Sequence, residues 1–329
     1  LAQVASHFFT WRKIIIVLTA SGKSMDFKEF LKKYKVKDLP LPTELVTVPS
    51  KKGLFHAIQV LTDHHLLSAP VVDDEGGLVG ILDTLDIAAY VVDMEAAGKK
   101  ALSDERLEKV MGRTARTKTE SCGEEDDLDQ VLESLLGPGR RAVVLRDGKP
   151  QSIITQSTVI MFLHGKSKEF EAMMSSYVAK DVCTDGVITI EDQATALTAF
   201  QTLVAQGVSS LTITDESGNA ITVISATDLV MALGHQENKS AILSELRAFN
   251  VVQFVGDSRK PDKRFSHTRA PIISVTMDSP LGQVIEKFAT TRVHRMLVIP
   301  HGTRKPEGVV SLVDICRILT KPPPEKFSV

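Results

Sequence analysis

Two short stretches of this 329-residue chain carry the spacing of a chemical motif. Ser225-Ala226-Thr227-Asp228 and Ser311-Leu312-Val313-Asp314 each set a hydroxyl three positions before a carboxylate. That is the pattern of a helix capping box, where the two side chains satisfy backbone N–H groups and contribute about 1 kcal/mol. Two pairs of adjacent basic side chains, His294-Arg295 and Arg140-Arg141, stand at the entrances of apolar runs. A guanidinium is a fixed, always-charged fork of donors. A structural histidine and a solvated arginine pair are the plainer readings. No HExxH, GxSxG or Cys/His cluster occurs, so no nucleophile–base set or metal site is expected. Gly22-Lys23-Ser24 has the end of a phosphate loop, but Val17 stands where the motif needs its first glycine.

These motifs sit inside a repeated unit. Ile81-Leu82-Asp83-Thr84-Leu85-Asp86 matches Ile153-Ile154-Thr155-Gln156-Ser157-Thr158, then Val223 to Asp228 and Val309 to Asp314. Before each lies a short apolar strand: Ala69 to Val72, Ala142 to Leu145, Leu211 to Ile213 and Met296 to Ile299. In the first three copies an Asp- and Gly-bearing turn joins strand to motif, as in a hairpin. Before the strand lies an amphipathic helix, with Leu281, Val284, Ile285 and Phe288 at helical spacing in the fourth copy. Asp278 or Ser279 would cap that helix, with Pro280 in its first turn. The acidic run Glu124 to Asp127 suits the helix start in the second copy. Each unit reads as strand, helix, strand, strand, helix. About 60 residues bury too little surface to be secure alone, so pairing of units is expected.

Composition sets the outer limits. At about 150 residues per domain, the length suggests two domains. Lys+Arg is 39 and Asp+Glu 41, a net charge of −2, with no basic surplus for a nucleic-acid backbone. Cys122, Cys183 and Cys316 are far apart and form no CxxC pair, which suits a reducing compartment, cytoplasmic or nuclear. The apolar run Ile14 to Ala20 is far short of the roughly 20 residues that cross a bilayer, so no membrane partner is expected.

Four such units in register, with His294-Arg295 at a strand entrance, resemble the CBS domain, a nucleotide-sensing module that works in tandem pairs. Four copies without a catalytic domain resemble the gamma subunit of AMP-activated (SNF1-type) protein kinase, over residues 36–320. The resemblance implies an α+β fold of four tandem CBS repeats in two pairs (Bateman modules), at 36–172 and 173–320. Residues 1–35 are then an N-terminal extension and 321–329 a tail. The two pairs either close into a flat disk within one chain or dimerise.

The resemblance also implies roles. Asp228 and Asp314 are ribose anchors, and Asp86 is the anchor of the first repeat. Ser225, Ser311 and Thr155 line the phosphate side at helix starts, where backbone N–H groups favour anions. His294 and Arg295 are phosphate ligands. Ser209 and Ser210 are the third repeat's contribution, and Arg140 and Arg141 occupy the His-Arg place of the second. Against that resemblance, Thr158 replaces Asp as it does in the kinase gamma subunits, while two departures weaken the first pair of repeats: Leu67 replaces a phosphate-facing Arg, and Asp83 puts negative charge where Ser or Thr is usual. The fourth repeat carries about 15 extra residues, placed around 256–269, which read as a solvated basic loop. The function implied is a non-catalytic regulatory subunit, needing no cofactor, whose ligands are AMP, ADP or ATP. Its partners are the catalytic and scaffold subunits of a kinase. The alternative is an interaction scaffold with decayed sites.

Overall fold

The computed structural model describes residues 27–114, 120–259 and 272–321. The extension up to residue 26 with Gly22-Lys23-Ser24, the basic residues Lys260, Lys263 and Arg264, and the tail after residue 321 lie outside the described residues.

Each repeat builds the expected unit. The first runs strand Val48–Pro49, helix Leu54–Asp63, strands Ser68–Val72 and Leu78–Asp83, and helix Thr84–Ala96. The second has Glu120–Cys122, Leu128–Ser134, Arg141–Arg146, Lys149–Thr155 and Gln156–Gly165 in the same order. The third has Thr189–Glu191, Ala196–Ala205, Ser210–Thr214, Ala220–Ser225 and Ala226–His235. The fourth has Ser274–Val275, Leu281–Thr291, Arg295–Val298, Gly308–Ser311 and Leu312–Thr320. In every sheet the first strand lies parallel to the second, and the second and third form an antiparallel hairpin. Thr184–Asp185 adds an edge strand to the fourth sheet. In three repeats a left-handed residue ends the first helix and turns the chain into the hairpin: His65, Gly207 and Arg292, at φ 53°, 62° and 59°.

The segments between repeats exchange places. The first free amide of each repeat's first helix donates to a linker carbonyl: Leu54 to Glu105 at 2.8 Å, Leu128 to Tyr34 at 3.0 Å, Ala196 to Phe249 at 2.9 Å and Leu281 to Tyr177 at 3.0 Å. The segment before repeat one thus docks on repeat two, and the segment before two docks on one. Repeats three and four exchange in the same way. This corrects the expected cap of the fourth repeat. Pro280 is the N-cap, and Ser279 instead accepts from Thr276 N at 3.0 Å, because the linker backbone already serves the helix end. The acidic run of the second repeat is spent on ion pairs, Glu124 with Arg146 and Glu125 with Lys37.

Two apolar cores result, and each joins repeats from opposite halves of the chain. In one, Ile58, Leu61, Leu85 and Tyr90 of repeat one meet Phe200, Leu229 and Leu233 of repeat three. In the other, Leu132, Ile160 and Leu163 of repeat two meet Phe288, Ile315 and Leu319 of repeat four. Fully burying a side chain of this size is worth about 1.5–3 kcal/mol. The remaining junctions combine apolar residues of the exchanged linkers, such as Val36 and Leu107, with polar contacts. Arg141 pairs with Asp83 between repeats two and one, and Arg295 donates to the Ser210 carbonyl between four and three. The contacts therefore run in a cycle: one, three, four, two.

Gly234 sits where helix Leu54–Asp63 crosses helix Ala226–His235. A Cβ there would come within 2.6 Å of Cβ and Cγ2 of Thr62, which is buried. Gly234→Ala is expected to cost about 1–3 kcal/mol through overpacking. Chemical denaturation checks this, and relief by a second change, Thr62→Gly, which removes the clashing Cβ as well, marks the contact as the cause.

Candidate functional site

The start of each second helix is built to one plan. The last residue of the hairpin is the N-cap, as Asp83, Thr155, Ser225 and Ser311. Three residues on stand Asp86, Thr158, Asp228 and Asp314. The hairpin register sets Ser68, Arg141, Ser210 and Arg295 directly opposite the four caps. One residue earlier, the carbonyls of Leu67, Ser209 and His294 accept the first helical amide, from Thr84 at 2.9 Å, Ala226 at 3.0 Å and Leu312 at 3.2 Å. Strand entrance and helix start are thus one constellation, although about 15 residues separate them.

The third and fourth repeats carry the full set. Asp228 Oδ2 accepts from Ser225 N and Oγ, both at 2.7 Å. Asp314 Oδ2 accepts from Ser311 N at 2.8 Å and Oγ at 2.6 Å. Both carboxylates are buried. Arg295 stands opposite Ser311 and donates from Nη1 to the Ser210 carbonyl at 2.9 Å. His294 points the other way, its Nε2 3.2 Å from Ser157 Oγ of repeat two. Arg140 is held at φ 56° and partly buried. Burial lowers the pKa of its guanidinium, while the charges of Asp314 and Asp83 oppose that loss. Arg140, Asp314 and Asp83 therefore share one neighbourhood. Thr155 and Thr158 cap each other, their hydroxyls 3.1 Å apart.

Each carboxylate also carries an internal partner that was not named from the sequence. Arg259, at the end of helix Val251–Arg259, reaches Asp228 through Nε at 2.7 Å and Nη2 at 3.1 Å. Its Nη2 also donates to the Val223 carbonyl at 2.8 Å, so this residue is not part of a solvated loop. Arg317 donates to Asp314 Oδ1 at 2.7 Å, an i, i+3 pair that the helical period could have flagged. Thr114 gives its N–H and hydroxyl to Asp86 Oδ1 at 2.8 and 2.7 Å. Arg141 is buried against Asp83 rather than solvated.

Asp86 sets a pH dependence. Burial pushes its carboxyl up to about 6, with the Asp83 charge adding and the Thr114 bonds opposing. The unfolded chain releases this proton near the ordinary 3.8. Between those values the folded state binds the extra proton, so stability falls as pH rises and the full penalty is present above pH about 6. Asp86→Asn is expected to flatten that part of the profile, read from unfolding midpoints across the window.

Among the described residues no group of three or more His, Cys, Asp or Glu could hold a metal ion, and no helix is long and apolar enough to cross a membrane. The CBS-domain family model matches residues 36–93, 179–235 and 265–321, just over half the chain. This protein belongs to the CBS-domain family. The second CBS repeat lies outside the matched segments, yet it has the same strand order, hairpin register and capped helix.

The named relatives are of two kinds, kinase gamma subunits and proteins called SDS23. The chain is 24% identical over 324 residues to the 5'-AMP-activated protein kinase subunit gamma of Dictyostelium discoideum, covering 91% of this chain and 53% of that protein. It is 26% identical over 197 residues to the Arabidopsis thaliana protein called SNF1-related protein kinase regulatory subunit gamma-1-like, covering 57% and 43%. Protein SDS23 of Eremothecium gossypii is 22% identical over 287 residues, covering 78% and 57%. The CBS chain is thus homologous to kinase gamma subunits and spans about half the length of the curated relatives it matches. The fold is shared with protein MJ1225 of Methanocaldococcus jannaschii, proposed as an archaeal homolog of g-AMPK. The TM-score is 0.68 at 20% identity, over 86% of this chain and 99% of that one.

Proposed function

We propose that this protein is a non-catalytic regulatory subunit that binds AMP, ADP or ATP in the clefts of its CBS repeats and passes the binding to a kinase of the SNF1/AMP-activated type. Residues 36–172 and 173–320 are the two pairs in this reading. The observation that carries it is the constellation of repeats three and four: buried Asp228 and Asp314 at helix starts, Ser225 and Ser311 as caps, and Arg295 beside Ser210. A carboxylate accepts both hydroxyls of a ribose, and a helix N-terminus with a guanidinium suits a phosphate. The exchanged linkers give a route for coupling, since a change in one repeat moves the segment docked on it. Such coupling is typically worth about 1–3 kcal/mol. Burial pushes Cys122 up to about 11 and Cys316 to about 12, so neither is a thiolate nucleophile at neutral pH.

The scaffold reading also has an observation behind it. Arg259, Arg317 and Thr114 occupy the three carboxylates that would hold ribose. At Asp228 and Asp314 a nucleotide competes with the arginine, whereas Oδ2 of Asp86 has no hydrogen-bond partner among the described residues. Equilibrium dialysis of labelled AMP against the purified chain, challenged with unlabelled ATP, separates the two. The sensor reading expects AMP to bind and ATP to displace it. No retained AMP overturns it in favour of the scaffold.

A further inference from the structure

Three of the four second helices close on an amide that returns to their last turn: Ala97 to the Asp93 carbonyl at 2.9 Å, Lys166 to Phe162 at 3.0 Å and Lys321 to Arg317 at 2.8 Å. Helix Ala226–His235 of repeat three ends differently. Its C-cap Gln236 is extended, at ψ 133°, and the chain leaves without such a bond among the described residues. The last carbonyls of a helix form its negative end, which favours a cation.

A cavity of about 250 Å³ lies at this end. Ala232, His235 and Gln236 line it from the helix terminus. Glu245, Phe249, Phe254 and Asp257 line it from helices Ile242–Ala248 and Val251–Arg259 and the bend between them. His235 is exposed, and Gln236, Glu245, Phe249 and Asp257 are half-buried, so the cavity reaches solvent.

The lining is rich in acceptors. Gln236 Nε2 donates to Glu245 Oε2, which fixes the amide oxygen as the other atom. That oxygen, Oε1, is buried without a hydrogen-bond partner among the described residues. The Ser258 hydroxyl is spent on the Val255 carbonyl at 3.1 Å. Glu245 and Asp257 are acidic, and no described lysine or arginine lines the cavity. Phe254 is buried and packs edge-on against Phe200, ring centroids 5.5 Å apart. Aromatic faces attract cations as well as apolar groups.

Volume and chemistry together choose the occupant. A water takes about 30 Å³ of the liquid, so the space far exceeds a lone metal ion. Nor does any group of His, Cys, Asp or Glu among the described residues suit a metal. The space falls short of the roughly 300–1,000 Å³ of pockets for larger ligands, and its acidic lining repels phosphate.

We propose that this cavity binds a small aliphatic amine, with its ammonium N–H groups on Gln236 Oε1 and Glu245 and its methylenes on Phe249 and Phe254. Asp257 and the open helix end add negative charge. Asp228 lies toward the other end of the same helix, about 10 Å along its axis. The site is therefore separate from the proposed ribose position and stands without it.

The test is calorimetric titration of the whole chain with 1,4-diaminobutane, with 1,4-butanediol as the uncharged isostere. The diamine is expected to bind with one-to-one stoichiometry and the diol not to bind. Glu245→Gln removes a charge, and Gln236→Met removes the unpaired oxygen at similar size. Each is expected to weaken diamine binding about tenfold or more. Asp257→Asn takes the place of Glu245→Gln if that variant does not fold. Glu237→Gln changes an exposed acid outside the lining and is expected to leave binding unchanged. No saturable heat with the diamine overturns the proposal, as does equal binding of the diol. Diamine binding indifferent to the lining variants, or weakened as much by Glu237→Gln, overturns it too.

Discussion

Arg141→Met lowers the stability of the chain by about 3–5 kcal/mol. The Asp83–Arg141 pair is buried on both sides, so removing the guanidinium leaves the Asp83 carboxylate without its counter-charge in a low-dielectric junction. The penalty is that of an uncompensated buried charge rather than the net worth of the bond. The double change Asp83→Leu with Arg141→Met is therefore expected to recover most of the loss. Urea denaturation of the wild type, both single variants and the double variant forms the cycle that isolates the coupling. Losses below about 1 kcal/mol in the single variants would mean that the pair behaves as a solvated surface bridge. The experiment also probes the link between repeats one and two independently of any ligand.

Asp314→Ala weakens adenine-nucleotide binding about a hundredfold. Two hydroxyl bonds to a carboxylate are lost, each worth about 1.5–3 kcal/mol. Part of that is offset by the Arg317 bond that the nucleotide no longer has to break. Arg317 is 56% exposed, and such a pair is worth about 0–1 kcal/mol. Asp228 is different. Its partner Arg259 is 17% exposed, grips both carboxylate oxygens and is tied to the Val223 carbonyl. Displacing it costs more, so Asp314 is expected to be the stronger anchor and Asp228→Ala to have the smaller effect. Calorimetric titration with AMP orders the two. Equal affinity in wild type and Asp314→Ala contradicts the assignment of Asp314 to the ribose. A circular-dichroism melt controls for Asp314's part in its capping box.

Local spacing carried the repeat unit, the helix starts and the alignment of His294-Arg295 with Arg140-Arg141. The reason is that a cap, a hairpin and an apolar helix face are each written within about ten residues. The Ser-x-x-Asp pattern was legible as a cap because hydroxyl and carboxylate lie within one helical turn. Apart from Arg317, three residues from Asp314, the present partners of these carboxylates and caps were not legible. Arg259 and Asp228 are 31 residues apart, Thr114 and Asp86 28, and Arg141 and Asp83 58. Only the assembled fold brings them together. The association of repeat one with three, and two with four, was hidden for a related reason. The apolar faces of the four second helices are similar in composition, and nothing in their period names a partner. Asp83 was visible as an odd residue at a cap, but its engagement by Arg141 needed the hairpin of another repeat.

The crystal structure of the chain grown with AMP tests the central claim most directly. The account expects the ribose hydroxyls within hydrogen-bond distance of the Asp314 carboxylate, Arg317 turned away from it, and the phosphate facing Arg295 or a helix start at Ser225 or Ser311. AMP bound away from Asp314 and Asp228, with the Arg317 and Arg259 bonds intact, would contradict it.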